Sequence, residues 1–160
     1  MFLYRSILVL LVFSFAFKSF AENVWDKPSP TSEEPIEITV YRSPSCGCCG
    51  IWLDHIKSHH FVVTDVPTEN VDSIKQRYGV TPQLASCHTA VVDDFVIEGH
   101  VPASDIRKLL TEKPDIVGLA VPGMPHGTPG MEMSGRKEPF SVISFDKNGD
   151  RKAFTEYLFY

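Results

Sequence analysis

An α/β domain followed by an irregular extension is the fold class that three features of the sequence predict. Two apolar runs, Ile36-Glu-Ile-Thr-Val-Tyr41 and Phe61-Val-Val-Thr-Asp-Val66, each precede a stretch with apolar residues at helical spacing. Thr89-Ala-Val-Val92 and Phe95-Val-Ile97 flank Asp93-Asp94 as a hairpin would, and a third helical stretch follows. From Pro114 to Pro139 periodicity stops and five Pro and five Gly appear, so turns set the backbone there.

In chain order, residues 1–21 carry Arg5, an apolar run broken only by Ser14, and Lys18-Ser-Phe-Ala21. That is the pattern of a secretory signal peptide cleaved after Ala21, its apolar core of about ten residues falling short of the roughly 20 needed for a membrane span. Cleavage would leave 139 residues with 13 Lys+Arg against 20 Asp+Glu, a net charge of -7, so an exported, acidic chain that is not membrane-embedded is expected. The full chain, at -5, already lacks the surplus of cations a nucleic-acid binder needs. Residues 22–35, with three prolines and no apolar periodicity, read as an exposed lead-in.

The first strand is broken by Arg42-Ser-Pro-Ser45. Cys49, Trp52, Leu53 and Ile56 then fall at i, i+3, i+4 and i+7, one buried helical face. After the second strand, Val71, Ile74 and Tyr78 mark a short helix that Gly79 ends. Ser104 is placed to cap a helix through Leu110, with Ile106, Leu109 and Leu110 inward. The resulting β-α-β-α-β-β-α order over residues 36–113 is that of a thioredoxin-like domain. Residues 114–160 form the Pro/Gly/Met-rich extension, closed by a hairpin of residues 140–145 and 153–160 around Asp146-Lys-Asn-Gly149.

All four cysteines, Cys46, Cys48, Cys49 and Cys87, survive in the exported chain, where thiols normally pair. Three of them within four residues are too close for an ordinary loop staple. Cys46 and Cys49 form a Cys-x-x-Cys pair at a helix start, where unpaired N–H groups and the helix dipole favour thiolate. Cys48 between them would scramble a simple dithiol exchange but suits a bridging ligand for soft metal ions. One tetrahedral zinc cannot easily take three adjacent thiolates, so several metals sharing sulfurs fit better. The bland alternative is a structural disulfide plus a buried free thiol.

Methionine placement points the same way. Met124, Met131 and Met133, every Met after the signal segment, lie within ten residues of the extension. Thioethers and thiolates select Cu(I) over harder ions, and an irregular loop can fold over a site to present them. Of six histidines, His55, His59 and His60 on the first helix read as solvated. His88, His100 and His126 are the candidate ligands. Asp146-Lys-Asn-Gly-Asp150 is not a calcium loop, because Gly stands fourth rather than sixth and no Glu stands twelfth. No Gly-x-Ser-x-Gly is present to suggest a serine hydrolase.

Taken together, Cys46-Gly-Cys48-Cys49-Gly-Ile-Trp52, Ser86-Cys87-His88-Thr89, Glu98-Gly-His100-Val-Pro102 and the run from Gly118 through Met124 and Met131 to Glu132 resemble the CopG-type copper-resistance proteins of Gram-negative bacteria. The resemblance spans residues 36–160. It implies a periplasmic protein with a thioredoxin-like domain and a cysteine-bridged multinuclear copper cluster. On this chain the bridging thiolates would be Cys46, Cys48 and Cys49, with Cys87 nearby and His88, His100, Met124, Met131 and Met133 completing the shell. It further implies interconversion of Cu(I) and Cu(II), or transfer of copper to efflux machinery or other periplasmic copper proteins, by a chain expected to be a monomer. Two other functions stay open: a metal-free thiol-disulfide oxidoreductase using Cys46 and Cys49, and zinc sequestration, which the thioethers disfavour.

Overall fold

The structure, a computed structural model, describes residues 34–160 and Trp25. The expected signal peptide and, Trp25 apart, the lead-in up to residue 33 lie outside the described residues. Along the chain run β1 (Ile36–Arg42), α1 (Gly47–Ser58), β2 (Phe61–Pro67), α2 (Val71–Arg77), β3 (His88–Val92), β4 (Phe95–Glu98) and α3 (Ala103–Glu112). There follow β5 (Gly118–Ala120), a 3-10 turn at Glu132–Ser134, β6 (Phe140–Phe145) and β7 (Arg151–Tyr157). No helix among the described residues is long and apolar enough to cross a membrane.

The strands form one mixed sheet in the order β2-β1-β3-β4-β5-β6-β7. β1 pairs β2 in parallel and β3 antiparallel, β3 and β4 form the expected hairpin, and β4 pairs β5 in parallel. Asp93 supplies the hairpin's left-handed residue, with φ 47°, which an aspartate tolerates where glycine is missing. The extension is more regular than its composition suggests. Gly118-Leu-Ala120 is a fully buried strand, and β6 and β7 continue the same sheet as an antiparallel pair. A three-residue strand is too short to show alternation, and its neighbours' glycines and prolines mask it. Asp146 Oδ1 accepts the N–H groups of Asn148 and Asp150, so that acidic run is the turn of the closing hairpin.

The helix α1 buries the four residues its spacing picks out, Cys49, Trp52, Leu53 and Ile56. Trp52 is fully buried and its indole N–H donates to the Val101 carbonyl at 2.9 Å, tying α1 to the turn before α3. Ile106 and Leu109 of α3 join the same core. Two helix details differ from expectation. Pro102, not Ser104, flanks the start of α3, and the Ala103 N–H is accepted by His55 Nε2 at 3.1 Å. His55 and His59 are therefore not solvated: His59 is buried, and burial drops His55 to about 3. In α2 the buried residue is Lys75 rather than Ile74. Trp25, within the stretch expected to be exposed, is fully buried and packs edge-on against Phe140 and Tyr157 and tilted against Tyr160.

Candidate metal centre

The site forms where β1 gives way to α1 and where the chain enters β3. Cys46 is the N-cap residue of α1, and Gly47, Cys48 and Cys49 are its first turn. The four N–H groups there lack partners within the helix and bias this end toward negative charge. Cys46 and Cys49 are joined by a disulfide, while Cys48 and Cys87 are free thiols, each partly exposed. Cys48 Sγ lies 3.7 Å from Cys46 Sγ. The sulfurs of Cys46, Cys48, Cys49 and Cys87 all lie within 4.8 Å of one another, as do the donor atoms of Cys87, His88 and His100. The two groups share Cys87.

Both histidines have their rings fixed around that sulfur. His100 Nδ1 lies 2.7 Å from the Pro129 carbonyl, which can only accept, so Nδ1 carries the proton. The lone pair of Nε2 is then turned to Cys87 Sγ at 3.0 Å. An imidazole held this way, with its far N–H on a carbonyl, is the arrangement that orients histidine toward a metal. His88 is fully buried, its Nδ1 lies 3.2 Å from the same sulfur, and its Nε2 has no partner among the described residues. Its ring sits against Trp52, with centroids 4.3 Å apart.

Away from that helix end, burial favours the neutral forms of Cys87, His88 and His100. Burial, then the neighbouring Cys48, pushes the Cys87 thiol up to about 12. Burial, then His100, Lys75 and Arg42, holds His88 well below the ordinary histidine range, and burial lowers His100 against the opposing effect of the Pro129 bond. Neutral imidazoles are the form that binds metals, and a cation offsets the cost of a buried thiolate. Metal–ligand bonds of about 2.0–2.3 Å place tetrahedral donors roughly 3.5 Å apart. The separations of 3.0, 3.2 and 3.7 Å bracket that spacing. With thiols and imidazoles and no carboxylate in either group, the donor set suits a soft or borderline ion.

The loop between β5 and β6 forms a roof over the start of α1 and His100. Gly130, at φ +86°, lies so close to α1 that a Cβ there would sit 2.8 Å from the Trp52 nitrogen and 3.0 Å from the Cys48 carbonyl. Only glycine permits both that conformation and that approach. Pro129 beside it holds His100, and Met131 follows, partly buried. The Gly123 N–H donates to the Ala85 carbonyl at 3.1 Å and Ser86 Oγ donates to the Gly123 carbonyl, which brings the Met124 corner beside the Cys87 segment. Met124 and Met133 themselves are exposed, at 52% and 77%. The structure thus gathers the four cysteines, His88 and His100, and sets Met131 in the covering loop. His126 lies apart from the gathered donors, its backbone N–H on Glu138 and its carbonyl near Tyr160 Oη.

Sequence reasoning left three contributors to this site without a role. Pro129 sets the His100 tautomer, and Lys75 and Glu98 meet beneath the Cys87 segment in a 2.5 Å ion pair. A signal for Glu98 was present, since it ends a strand of otherwise apolar residues, Phe95-Val-Ile.

A family model described as "Protein of unknown function, DUF411" matches residues 84–131, the stretch from before Cys87 to Met131. No curated protein sequence gives a significant match. Two solved structures, described as copper resistance protein CopG, forms 1 and 2, are each 44% identical to this chain with TM-scores of 0.74. The first is covered over 100% of its length and 79% of this chain, the second over 99% and 78%.

Proposed function

This chain belongs to the CopG family of copper-resistance proteins, and from that premise we propose that it binds several copper ions in a cysteine-bridged cluster in the periplasm. The observation that carries the proposal is the convergence of Cys46, Cys48, Cys49 and Cys87 on one point, with His88 and His100 turned to the shared sulfur of Cys87. Copper is the cargo. Cys48 and Cys87 offer thiolate bridges at once. Reduction of the Cys46–Cys49 bond by an external dithiol, which is itself oxidised to its disulfide, frees two more thiols, so copper capacity follows the redox state of that pair. Met131 is the thioether best placed to join the shell, with the exposed Met124 and Met133 as outer donors.

Residues 36–113 are assigned a thioredoxin-like fold and 114–160 the role of a ligand-bearing extension. The β2-β1-β3-β4 order and the Cys-x-x-Cys at the first strand–helix junction support the first. The Pro129 and Gly130 contacts support the second. Export by a signal peptide cleaved after Ala21 belongs to the same reading, as do interconversion of Cu(I) and Cu(II) and delivery to efflux machinery.

The test compares copper uptake by the reduced and the oxidised protein, titrated anaerobically against a competing Cu(I) chelator. The reduced form should retain more copper per chain, with sulfur-to-copper charge-transfer absorption. Equal and negligible uptake by both would remove the copper reading. One observation favours a second reading, thiol-disulfide exchange: the Cys46–Cys49 disulfide itself, with Cys46 partly exposed to an attacking thiolate and Cys49 buried as the leaving group. Copper-free turnover of a disulfide substrate would support it.

A further inference from the structure

One fully buried carboxylate near the site lies outside both groups of metal donors. Glu98 is fully buried at the end of β4, directly after the core residues Val96 and Ile97. Its Oε1 accepts from Lys75 Nζ at 2.5 Å and from the Ser86 N–H at 2.6 Å, and its Oε2 accepts from Thr89 Oγ1 at 2.7 Å. Lys75 Nζ also donates to Thr89 Oγ1 at 3.2 Å. Ser86 and Thr89 are the residues immediately before and after the Cys87-His88 pair. One carboxylate therefore holds that pair from both sides.

The cost of burying this ion pair sharpens its meaning. Removing two charges from water costs several kcal/mol per ion, and a pair of well-packed apolar residues would often be as stable or more so. The pair is thus a poor device for stability and a good one for geometry, because charge-assisted hydrogen bonds are short and directional. The neighbouring residues reinforce the same positions. The Gly99 N–H donates to the His88 carbonyl at 3.0 Å, and a Cβ on Gly99 would lie 2.5 Å from the Ser86 side chain. His100 then follows directly and reaches Cys87.

We propose that Lys75, Glu98 and Thr89 form a buried clamp that positions the Cys87 thiol for metal, with Glu98 as a positioning residue acting through the Ser86 N–H and the Thr89 hydroxyl. The inference rests on the copper reading for its purpose, but the placement of Cys87 is measurable without metal. Glutamine at position 98 keeps an acceptor for the Ser86 N–H; alanine removes both holds.

The experiment uses the metal-free full mature chain in a Cys48→Ser background, with the Cys46–Cys49 disulfide intact, so that Cys87 is the one free thiol. Its alkylation rate by iodoacetamide is measured in the parent, Glu98→Ala, Glu98→Gln and Thr89→Val proteins, each checked for cooperative unfolding. Loss of a buried hydrogen bond to a charged group should free the segment and raise the Glu98→Ala rate about tenfold. Glu98→Gln should stay within about twofold of the parent, because the Ser86 hold survives. If Glu98→Ala does not fold, Thr89→Val, which removes one side only, should still raise the rate several-fold. An unchanged rate in folded Glu98→Ala, or in Thr89→Val where alanine does not fold, would overturn the clamp. Copper content, measured in the same variants with Cys48 restored, should fall in Glu98→Ala and persist in Glu98→Gln. If none of them binds copper but the alkylation rates move as stated, the copper reading fails and the clamp stands.

Discussion

At the scale of single residues, the site is written in donor types. Cys46, Cys48, Cys49, Cys87, His88 and His100 were legible in the sequence because soft donors fall in short ordered groups, and the fold brings all six together. Lys75 and Glu98 were not, because a lysine and a glutamate default to solvent unless each is known to meet the other, and their partnership spans 23 residues of sequence. His55 was misread for a related reason: its acceptor role on the Ala103 N–H depends on a contact 48 residues away. Cys48 offers the sharpest test at this scale. It is a free thiol on the first turn of α1, within 4.8 Å of Cys87 Sγ, and among the described residues its sulfur's neighbours are the side chains of other cysteines. Cys48→Ser should leave the melting temperature nearly unchanged and cut the copper held per reduced chain by about half or more, since a hydroxyl is a poor partner for a soft ion. Full copper content in that variant would refute a bridging role.

At the scale of elements, α1 was the easiest to read and β5 the hardest. The helix declares itself by Cys49, Trp52, Leu53 and Ile56 on one 3.6-residue stripe. Gly118-Leu-Ala120 declares nothing, and only its pairing with β4 and β6 makes it a strand. The junction between α1 and α3 carries a pH dependence. The neutral His55 ring accepts the first N–H of α3, and a protonated ring could not. Its folded value is depressed from 6.5 to about 3, burial being the first cause and His59 the second. Between those limits the unfolded chain takes up a proton that the folded chain refuses, so this contribution to stability is lost as pH falls from about 6.5 toward 3. His55→Gln keeps an acceptor without the proton uptake. Its melting temperature should fall less than the parent's between pH 7 and pH 4.5; His88 and His100, lowered in the same direction, keep the slope from vanishing. Identical slopes would show that His55 contributes nothing. The roof loop is tested by Gly130→Ala, where φ +86° and a contact of 2.8 Å to the Trp52 nitrogen both oppose a Cβ. We expect a loss of about 1–3 kcal/mol in chemical denaturation and weaker copper retention, because the displaced segment carries Pro129 and Met131.

At the scale of the whole molecule, one sheet runs from the edge strand β2 to the closing hairpin, so the segment bearing the methionines is bounded by β5 and β6 of the same sheet that orders β1 and β3. The order of the first seven elements could be read from alternating periodicities, and the hairpin from its turn. That the extension joins the sheet could not, because parallel pairing of β4 with β5 across α3 leaves no local mark in the sequence. Trp25 was equally hidden: an isolated tryptophan among prolines and acids gives no pattern, yet it completes an aromatic cluster with Phe140, Tyr157 and Tyr160. The consequence for function is one sheet whose elements meet at a few sulfur and imidazole donors. It is tested most directly by elemental analysis and absorption spectroscopy of the chain produced from its full-length sequence, purified without chelator and kept reduced. More than one copper per chain, with sulfur-to-copper charge-transfer bands, is the predicted result; a reduced chain that emerges free of copper and takes none up on titration would contradict it.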